Sequence, residues 1–538
     1  MTDLNDFNAV DWIILCVYIV ICIAIGIYTG KSGGGNDAEE YLLAGKQKHF
    51  AIVAVSLVSG LTSGISFLGS PAYSYTHGLS LGFSCFSAFV AAPVIMFVIM
   101  PFFGRLNLIT AYSYLSLRFS DSIRLIASLV FTTRVIAYLG LVLYAPSIAI
   151  KSLTGVHESI SVLVVGVLTT GYTMKGGMNA VVWTDFIQSV VLIVLTAYIV
   201  WKCLADVSST EFQSAVRVDS KFFEFDPTKE ITFWSAVFGI GINSIAQGGT
   251  DQVAIQRYLT TSNTKQSLRA CFLAWFLNGI YCGFLGITGV ALYAFFHSNG
   301  RSDPVEDKDI SSSDMIVPFF TSHELQSGSA GLLVAAIVGC SLSVVGAGLN
   351  AASTCLVIDI MPILKKKEKA DQNLVRNTRL ATLTFGILSM GMAILYMIVG
   401  STLIELNQVV FSMVSAPLLT LFLLGILSVR ANTFGAWCAL LGNCVAMLFI
   451  VTGLIVDDPS EFPKISPFWY TGFITLIGTL SGRVFSMFRA PPQNEQIHGL
   501  TFWTRSVDST VGMMMNNTTN DVASSSSLLD SSLDKSLD

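Results

Sequence analysis

The stretch AIVAVSLVSGLTSGISFLGSPAYSY, Ala51–Tyr75, decides how the chain is read. It is long enough and apolar enough to cross a bilayer, which takes about 20 residues. Its middle does not suit an unbroken helix. Ser56, Ser59, Thr62, Ser63, Ser66 and Ser70 are interleaved with Gly60, Gly64 and Gly69. Glycine weakens a helix, and hydroxyls compete for its backbone hydrogen bonds. In lipid, a freed backbone group is tolerated only where it faces protein or a watery cavity. The pattern predicts a helix broken at mid-membrane, with carbonyls and hydroxyls turned inward, which is how ion and solute sites of secondary transporters are built. Taken alone, Gly60-x-x-x-Gly64 also fits a close helix-packing face.

The rest of the chain favours the first reading. Of 538 residues, 53% are hydrophobic and 12% charged, with mean hydropathy +0.66. A soluble domain carries about 25% charged residues. The composition predicts an all-α polytopic membrane protein. Thirteen apolar runs fit spans: about 11–29, 50–76, 81–101, 125–152, 158–173, 180–201, 232–249, 268–297, 328–360, 380–400, 405–427, 435–455 and 467–485. Thirteen spans put the termini on opposite sides. Lys31, Lys46, Lys48, Arg105, Arg118, Arg124, Lys175, Arg257, Lys265, Arg269, Lys365–Lys367, Arg376, Arg379 and Arg430 fall on one set of short loops. By the positive-inside rule that set is cytoplasmic, so the N-terminus is expected outside and the C-terminus inside. The ten cysteines are scattered, without C-x-x-C, and suggest neither a zinc site nor a disulfide framework. The segment 488–538 is Ser- and Asp-rich and is expected to be a disordered cytoplasmic tail.

Four motifs point to a family. Tyr172–Gln188 (YTMKGGMNAVVWTDFIQ) leads from a loop with paired glycines into an apolar helix carrying Asp185. Thr250–Leu259 is TDQVAIQRYL, Ala111–Phe119 is AYSYLSLRF with Ala137–Ala149 AYLGLVLYAPSIA, and Pro417–Gly435 is PLLTLFLLGILSVRANTFG. Together the chain resembles the sodium/solute symporter family, and within it the multivitamin, monocarboxylate and iodide transporter branch, over residues 8–485. The resemblance implies a LeuT-type core of two inverted five-helix repeats. The expected organisation is then 1–49 as the extracellular N-terminal end, first transmembrane helix and cytoplasmic loop, 50–201 as repeat one, and 202–231 as an extracellular loop. Repeat two follows over 232–427, and 428–487 holds the last two helices. Function is expected to be sodium-coupled symport of a small organic anion across the plasma membrane. Sodium-independent or proton-coupled transport, or a solute-binding channel or transceptor, are the alternatives. The expected partners are a small-molecule substrate and the lipid bilayer, with no nucleic acid, no enzymatic chemistry and no cofactor besides Na+ as coupling ion.

The family resemblance implies one sodium site: carbonyls of Ser59 and Thr62 on the broken helix, the carbonyl of Cys340 and hydroxyl of Ser343 opposite, and Asp185 nearby. Sodium is hard and takes oxygen ligands. An ionisable residue such as Asp185 inside a span is costly and functional by default. The chain departs from the family at Val344, where a Ser or Thr is usual, which removes one side-chain ligand and keeps proton coupling at Asp185 as an alternative.

For the substrate, Arg134 lies about ten residues into its span, with no acidic residue over 125–152. A guanidinium there suits a carboxylate in bidentate geometry, and some sialic-acid-transporting relatives use an arginine on this helix for that purpose. Pairing with Asp185 or Asp251 is the structural alternative. Ser63 and Ser66 are expected on the same cavity, with Gln247 and Ser244 from the glycine-rich Phe238–Thr250. Gln408 falls where sugar carriers have a binding glutamine. Ser66 and Gln247 replace residues that hexose carriers use, which argues against a hexose. Phe67 and Tyr138 are expected as hydrophobic gates, and Asp251 as a cytoplasmic gate at the inner end of the seventh span.

Overall fold

The computed structural model describes residues 7–32, 42–106, 108–219, 221–298, 301–310, 312–365, 374–399, 403–455 and 464–504. Its described elements are helical apart from turns and one isolated bridge between Lys48 and Thr261. All thirteen predicted spans fall on helix. Boundaries shift outward where a polar cap is available. Ser120 accepts from the Ile123 N–H and starts the helix Asp121–Thr154, and Asn263 accepts from the Gln266 N–H and starts Thr264–His297. Both caps satisfy amides that a helix start leaves without partners. The two longer loops carry short helices of their own, Ser209–Ala215 and Ile316–Glu324.

Two spans are broken. Phe50–Leu61 ends at Thr62 (φ −100, ψ 94), and Gly64–His77 restarts after Ser63 (φ −86, ψ 169). Ile240–Gly249 ends at Thr250 (φ −127, ψ −8), and Gln252–Tyr258 restarts after Asp251 (φ −83, ψ 125). The second break lies just past the glycine cluster. Asp251 therefore sits at a break between half-helices, not at the inner end of the span as its sequence position suggested.

The Lys-Gly-Gly segment, expected as a loop, stays helical within Glu158–Ala205, 48 residues in all. A straight helix of that length would run about 72 Å, more than twice the hydrocarbon thickness. The contacts show the chain doubling back. Ser159 meets Met397, Gly166 packs on Met390 and Thr170 on Gly386, so the first part is antiparallel to Leu374–Val399. Asp185 meets Ser343 and Gln188 lies beside Gly339, so the second part is antiparallel to Ser329–Cys355. Those two helices are themselves antiparallel: Ser353 bonds Thr382, while Leu139 and Gly140 join Gly348 to Met392. The two parts of Glu158–Ala205 thus cross in opposite directions.

Ser329–Cys355 is the central helix, buried at every residue from Leu333 to Cys355. A helix hydrophobic all round has to be surrounded by other helices. Just beyond it, Asp359 is fully buried and accepts from Thr110 (2.7 Å) and from Arg124 Nε and Nη2 (2.8 and 2.6 Å). Arg124→Ala should leave this carboxylate buried and unpaired, a loss of about 3–5 kcal/mol. Thermal unfolding in detergent checks this, and Arg124→Ala with Asp359→Ala should recover most of the loss.

The C-terminal region departs from expectation. Residues 488–504, expected to be disordered, dock on the ends of the helices Ser113–Arg118 and Leu403–Leu427. Tyr114 donates to the Leu500 carbonyl (2.8 Å), the Phe502 N–H to Ile426 (2.8 Å) and Trp503 Nε1 to Leu427 (2.9 Å). Helix C-termini leave carbonyls unpaired, and this segment satisfies two of them. The rest of the tail, 505–538, lies outside the described residues.

Candidate functional site

The first break exposes the end of a half-helix. The last carbonyls of Phe50–Leu61 lose their intrahelical partners, and the Thr62 N–H takes only that of Val58 (2.8 Å). The Ser59 hydroxyl lies 3.4 Å from that of Ser343 on the central helix. Asp185, fully buried, accepts from the hydroxyls of Ser343 and Ser56. Cys340 lies one turn before Ser343 and is fully buried. Ser59, Ser343 and Asp185 are thus in direct contact, with Thr62 and Cys340 adjoining. The donors are carbonyl, hydroxyl and carboxylate oxygens, the set a hard monovalent cation takes.

Sequence reasoning missed a fourth partner here. Arg257, 1% exposed, donates to Asp185 through Nη2 (3.1 Å) and to Ser56 through Nε (3.2 Å). Gly60 makes the approach possible: a Cβ there would lie 2.6 Å from Arg257 Nη1. The signal in the sequence was the arginine six residues after Asp251. On the short half-helix Gln252–Tyr258, the side chain turns to the buried Asp185 and Ser56 instead of to a loop.

The second ion pair lies across the adjoining cavity. Arg134, 2% exposed, donates through Nη2 to Asp251, 6% exposed. Its guanidinium also faces three rings, Phe411 at 4.4 Å, Phe131 at 5.5 Å and Tyr138 at 6.0 Å. Cation–ring contacts of this kind count for more when desolvated. Arg134 Nε and Nη1 are buried and have no acceptor among the described residues. Asp251 does a second job: its other carboxylate oxygen accepts from the Val253 N–H (2.9 Å) and caps Gln252–Tyr258.

The cavity between the two pairs is walled by Gly60, Arg134, Tyr138, Gln247, Asp251, Arg257, Val344 and Phe411, among others. Its space for water centres is about 30 Å3. One water needs about 10–15 Å3 by that measure, so this conformation has room for two waters, and a solute would have to open it. The expected substrate residues therefore divide. Arg134 and Gln247 line the cavity. Ser63, Ser66 and Ser244 are not on its wall: Ser63 precedes the half-helix Gly64–His77, and Ser244 is buried elsewhere on its own half-helix. Gln408 falls within Leu403–Leu427, and its side chain lies outside the described residues. Of the expected gates, Tyr138 stands edge-on to Phe411 (5.3 Å) over the cavity, while Phe67 is packed into the core away from it.

With this geometry in hand, comparisons with known proteins carry weight. A family model described as "Sodium:solute symporter family" matches residues 41–442. The chain is similar to sodium-coupled monocarboxylate transporter 1 of Mus musculus, 30% identical over 85% of this chain and 75% of that protein. It is also similar to a putative sodium-dependent multivitamin transporter of Drosophila melanogaster, 30% identical over 80% and 72%. The human sodium/iodide cotransporter is 27% identical over 85% and 71%. Among solved structures, the substrate-bound outward-open state of a Na+-coupled sialic acid symporter superposes with a TM-score of 0.79 at 24% identity, covering 90% of this chain and 99% of that one. That likeness supports the LeuT-type inverted-repeat fold, in which broken helices face each other at the midplane.

Proposed function

Because the chain belongs to the sodium:solute symporter family, we propose that it is a sodium-coupled importer of a small organic carboxylate, held by Arg134. The protein is a secondary transporter, not an enzyme. The observation that carries the substrate class is the Arg134 guanidinium, buried on the cavity wall with two donors lacking acceptors among the described residues. Buried donors of this kind are costly to leave unpaired, and a carboxylate supplies what they lack. Its relatives carry monocarboxylates, vitamins and iodide by name, and only the first two classes offer a planar two-oxygen head for the guanidinium fork.

Sodium is proposed to bind among Ser59, Thr62, Cys340, Ser343 and Asp185. Val344, on the cavity wall in place of a hydroxyl, leaves this site one side chain short, and Asp185 supplies the charge that compensates. In the plasma membrane, with the N-terminus outside and the inner half-helix Gln252–Tyr258 toward the cytoplasm, the downhill ion would enter from outside together with the solute.

The test is a thermal-shift panel on the purified protein: pyruvate, nicotinate, biotin, N-acetylneuraminate, glucose and iodide, each in sodium and in choline. A ligand that binds only the native state raises stability by mass action. Stabilisation by a carboxylate in sodium but not in choline is expected. Stabilisation by glucose or iodide alone would overturn the substrate class, and equal stabilisation in choline would overturn the coupling ion.

A further inference from the structure

The arrangement of Arg134 and Asp251 contains a second piece of information. A guanidinium offers a carboxylate two forks. The side-on fork uses Nε with Nη2, and the end-on fork uses Nη1 with Nη2, because Nη1 lies on the Cδ side, away from the Nε–H. Nη2 belongs to both. That nitrogen is the one Asp251 holds, while Nε and Nη1 have no acceptor among the described residues. Nη2 carries two N–H groups and its bond to Asp251 uses one, so what the pairing takes up is the charge: a solute carboxylate arriving while Asp251 is paired brings a second negative charge to one buried guanidinium. The cavity is also too small for any solute while the pair is closed.

We infer that Asp251 is a built-in competitor for the substrate: its carboxylate occupies Arg134 in the empty transporter, and an incoming carboxylate must displace it. The inference rests on the reading of Arg134 as the anion clamp. It adds a consequence for the moving parts. Asp251 is the residue at the break between Ile240–Gly249 and Gln252–Tyr258, and its backbone conformation is extended. Releasing it from Arg134 unties this break from the helix Asp121–Thr154. A solute without a carboxylate cannot take the place of Asp251 on Arg134, so the tie and the closed cavity both stay, and Asp251 sets which solutes drive the transition as well as how tightly they bind.

Asp251→Asn separates the two jobs of the side chain. Asparagine keeps the cap on the Val253 N–H, since Asn and Asp cap helices equally well, and removes the charge that competes. Acetate serves as the probe, because it is the carboxylate head without a specificity-determining body. The midpoint for thermal stabilisation by sodium acetate should fall about tenfold or more in Asp251→Asn relative to the wild type, as when a competing state is removed. Arg134→Gln/Asp251→Asn should not respond. An Asp251→Asn midpoint equal to or above that of the wild type would overturn the inference. Should Asp251→Asn fail to fold on its own, adding acetate during expression and purification should restore folded protein, as a supplied carboxylate pairs with Arg134. If acetate does not restore it, Asp251 is structural and the inference fails. The underlying reading fails separately: wild-type carboxylate binding that survives Arg134→Gln removes the clamp itself, whatever Asp251 does.

Discussion

Replacing Asp185 by asparagine is expected to abolish the stabilisation by sodium and to cost the fold about 3–5 kcal/mol, the range for breaking one partner out of a buried ion pair. The cost follows from what is left behind. Arg257 is 1% exposed and would keep, among the described residues, the Ser56 hydroxyl (3.2 Å), the Val253 carbonyl (3.4 Å) and the amide oxygen introduced at position 185, none of which carries charge. An unpaired guanidinium at this depth is among the costlier groups a membrane protein can hold. Asp185→Asn/Arg257→Gln should recover most of the melting temperature, because both charges leave together. It should not recover the sodium response, because the carboxylate is the one formal negative charge on the proposed ion site. Melting curves in sodium and in choline for the three proteins separate these effects. A double variant that still responds to sodium as the wild type does would remove Asp185 from the ion site.

This network shows how far the sequence could be read. The break at Thr62–Ser63 was legible because glycine and hydroxyl residues were dense within one apolar span, and both features act locally on the backbone. Asp185 and Arg134 were legible as functional because a charge inside an apolar run has no bland explanation. The sequence leaves the partner of Arg134 open between Asp185 and Asp251, and does not point to Arg257 as the partner of Asp185. Which acid meets which arginine depends on how three separate helices turn about their axes, and periodicity does not report that. Asp251 and Arg257 looked like a pair of cytoplasmic charges because they follow the apolar run. The break at Thr250 changes their depth, since residues beyond it begin a new half-helix that is still inside the protein. Ser63 and Ser66 were placed on the cavity by counting from Thr62, but the extended residues Thr62 and Ser63 interrupt the helical count before Gly64–His77, so it does not carry across. The reversal inside Glu158–Ala205 was anticipated from the Lys-Gly-Gly segment and from the span length, although the backbone there stays helical instead of forming a loop. The docking of 488–504 was hidden by the composition of the residues that follow it. Leu500, Phe502 and Trp503 are the anchors, and they are few.

Charge counting links the two halves of the site. Arg134, Arg257, Asp185 and Asp251 form two pairs with no net charge. A carboxylate arriving at Arg134 adds one negative charge to a region where an uncompensated charge is expensive, and a sodium ion near Asp185 cancels it. Each should therefore bind more tightly in the presence of the other, by the same factor in both directions. On this view coupling does not require substrate and ion to touch. It needs both to enter a cavity whose own charges are already spoken for.

Arg134→Gln tests the other end of that balance and should have the largest effect on recognition. Glutamine keeps a polar donor of similar reach but loses the charge and both forks. A charge-assisted hydrogen bond contributes about 1.5–3 kcal/mol, so losing two should weaken carboxylate binding by about a hundredfold or more. Arg134→Lys should fall between the two, since it restores the charge without the planar fork. The variant also leaves Asp251 buried and unpaired, so its stability should fall as well, and Arg134→Gln/Asp251→Asn should restore stability without restoring binding. Equilibrium binding of the best carboxylate from the panel, measured in sodium on all four proteins, gives the ranking. Wild type should be tightest, lysine weaker, and the two glutamine-containing proteins without saturable binding. If Arg134→Gln binds within about twofold of the wild type, a range below what one charge-assisted bond contributes, then Arg134 does no more than hold Asp251 and the substrate lies elsewhere on the cavity wall. Because the double variant keeps the fold and lacks only the clamp, loss of binding there cannot be ascribed to unfolding.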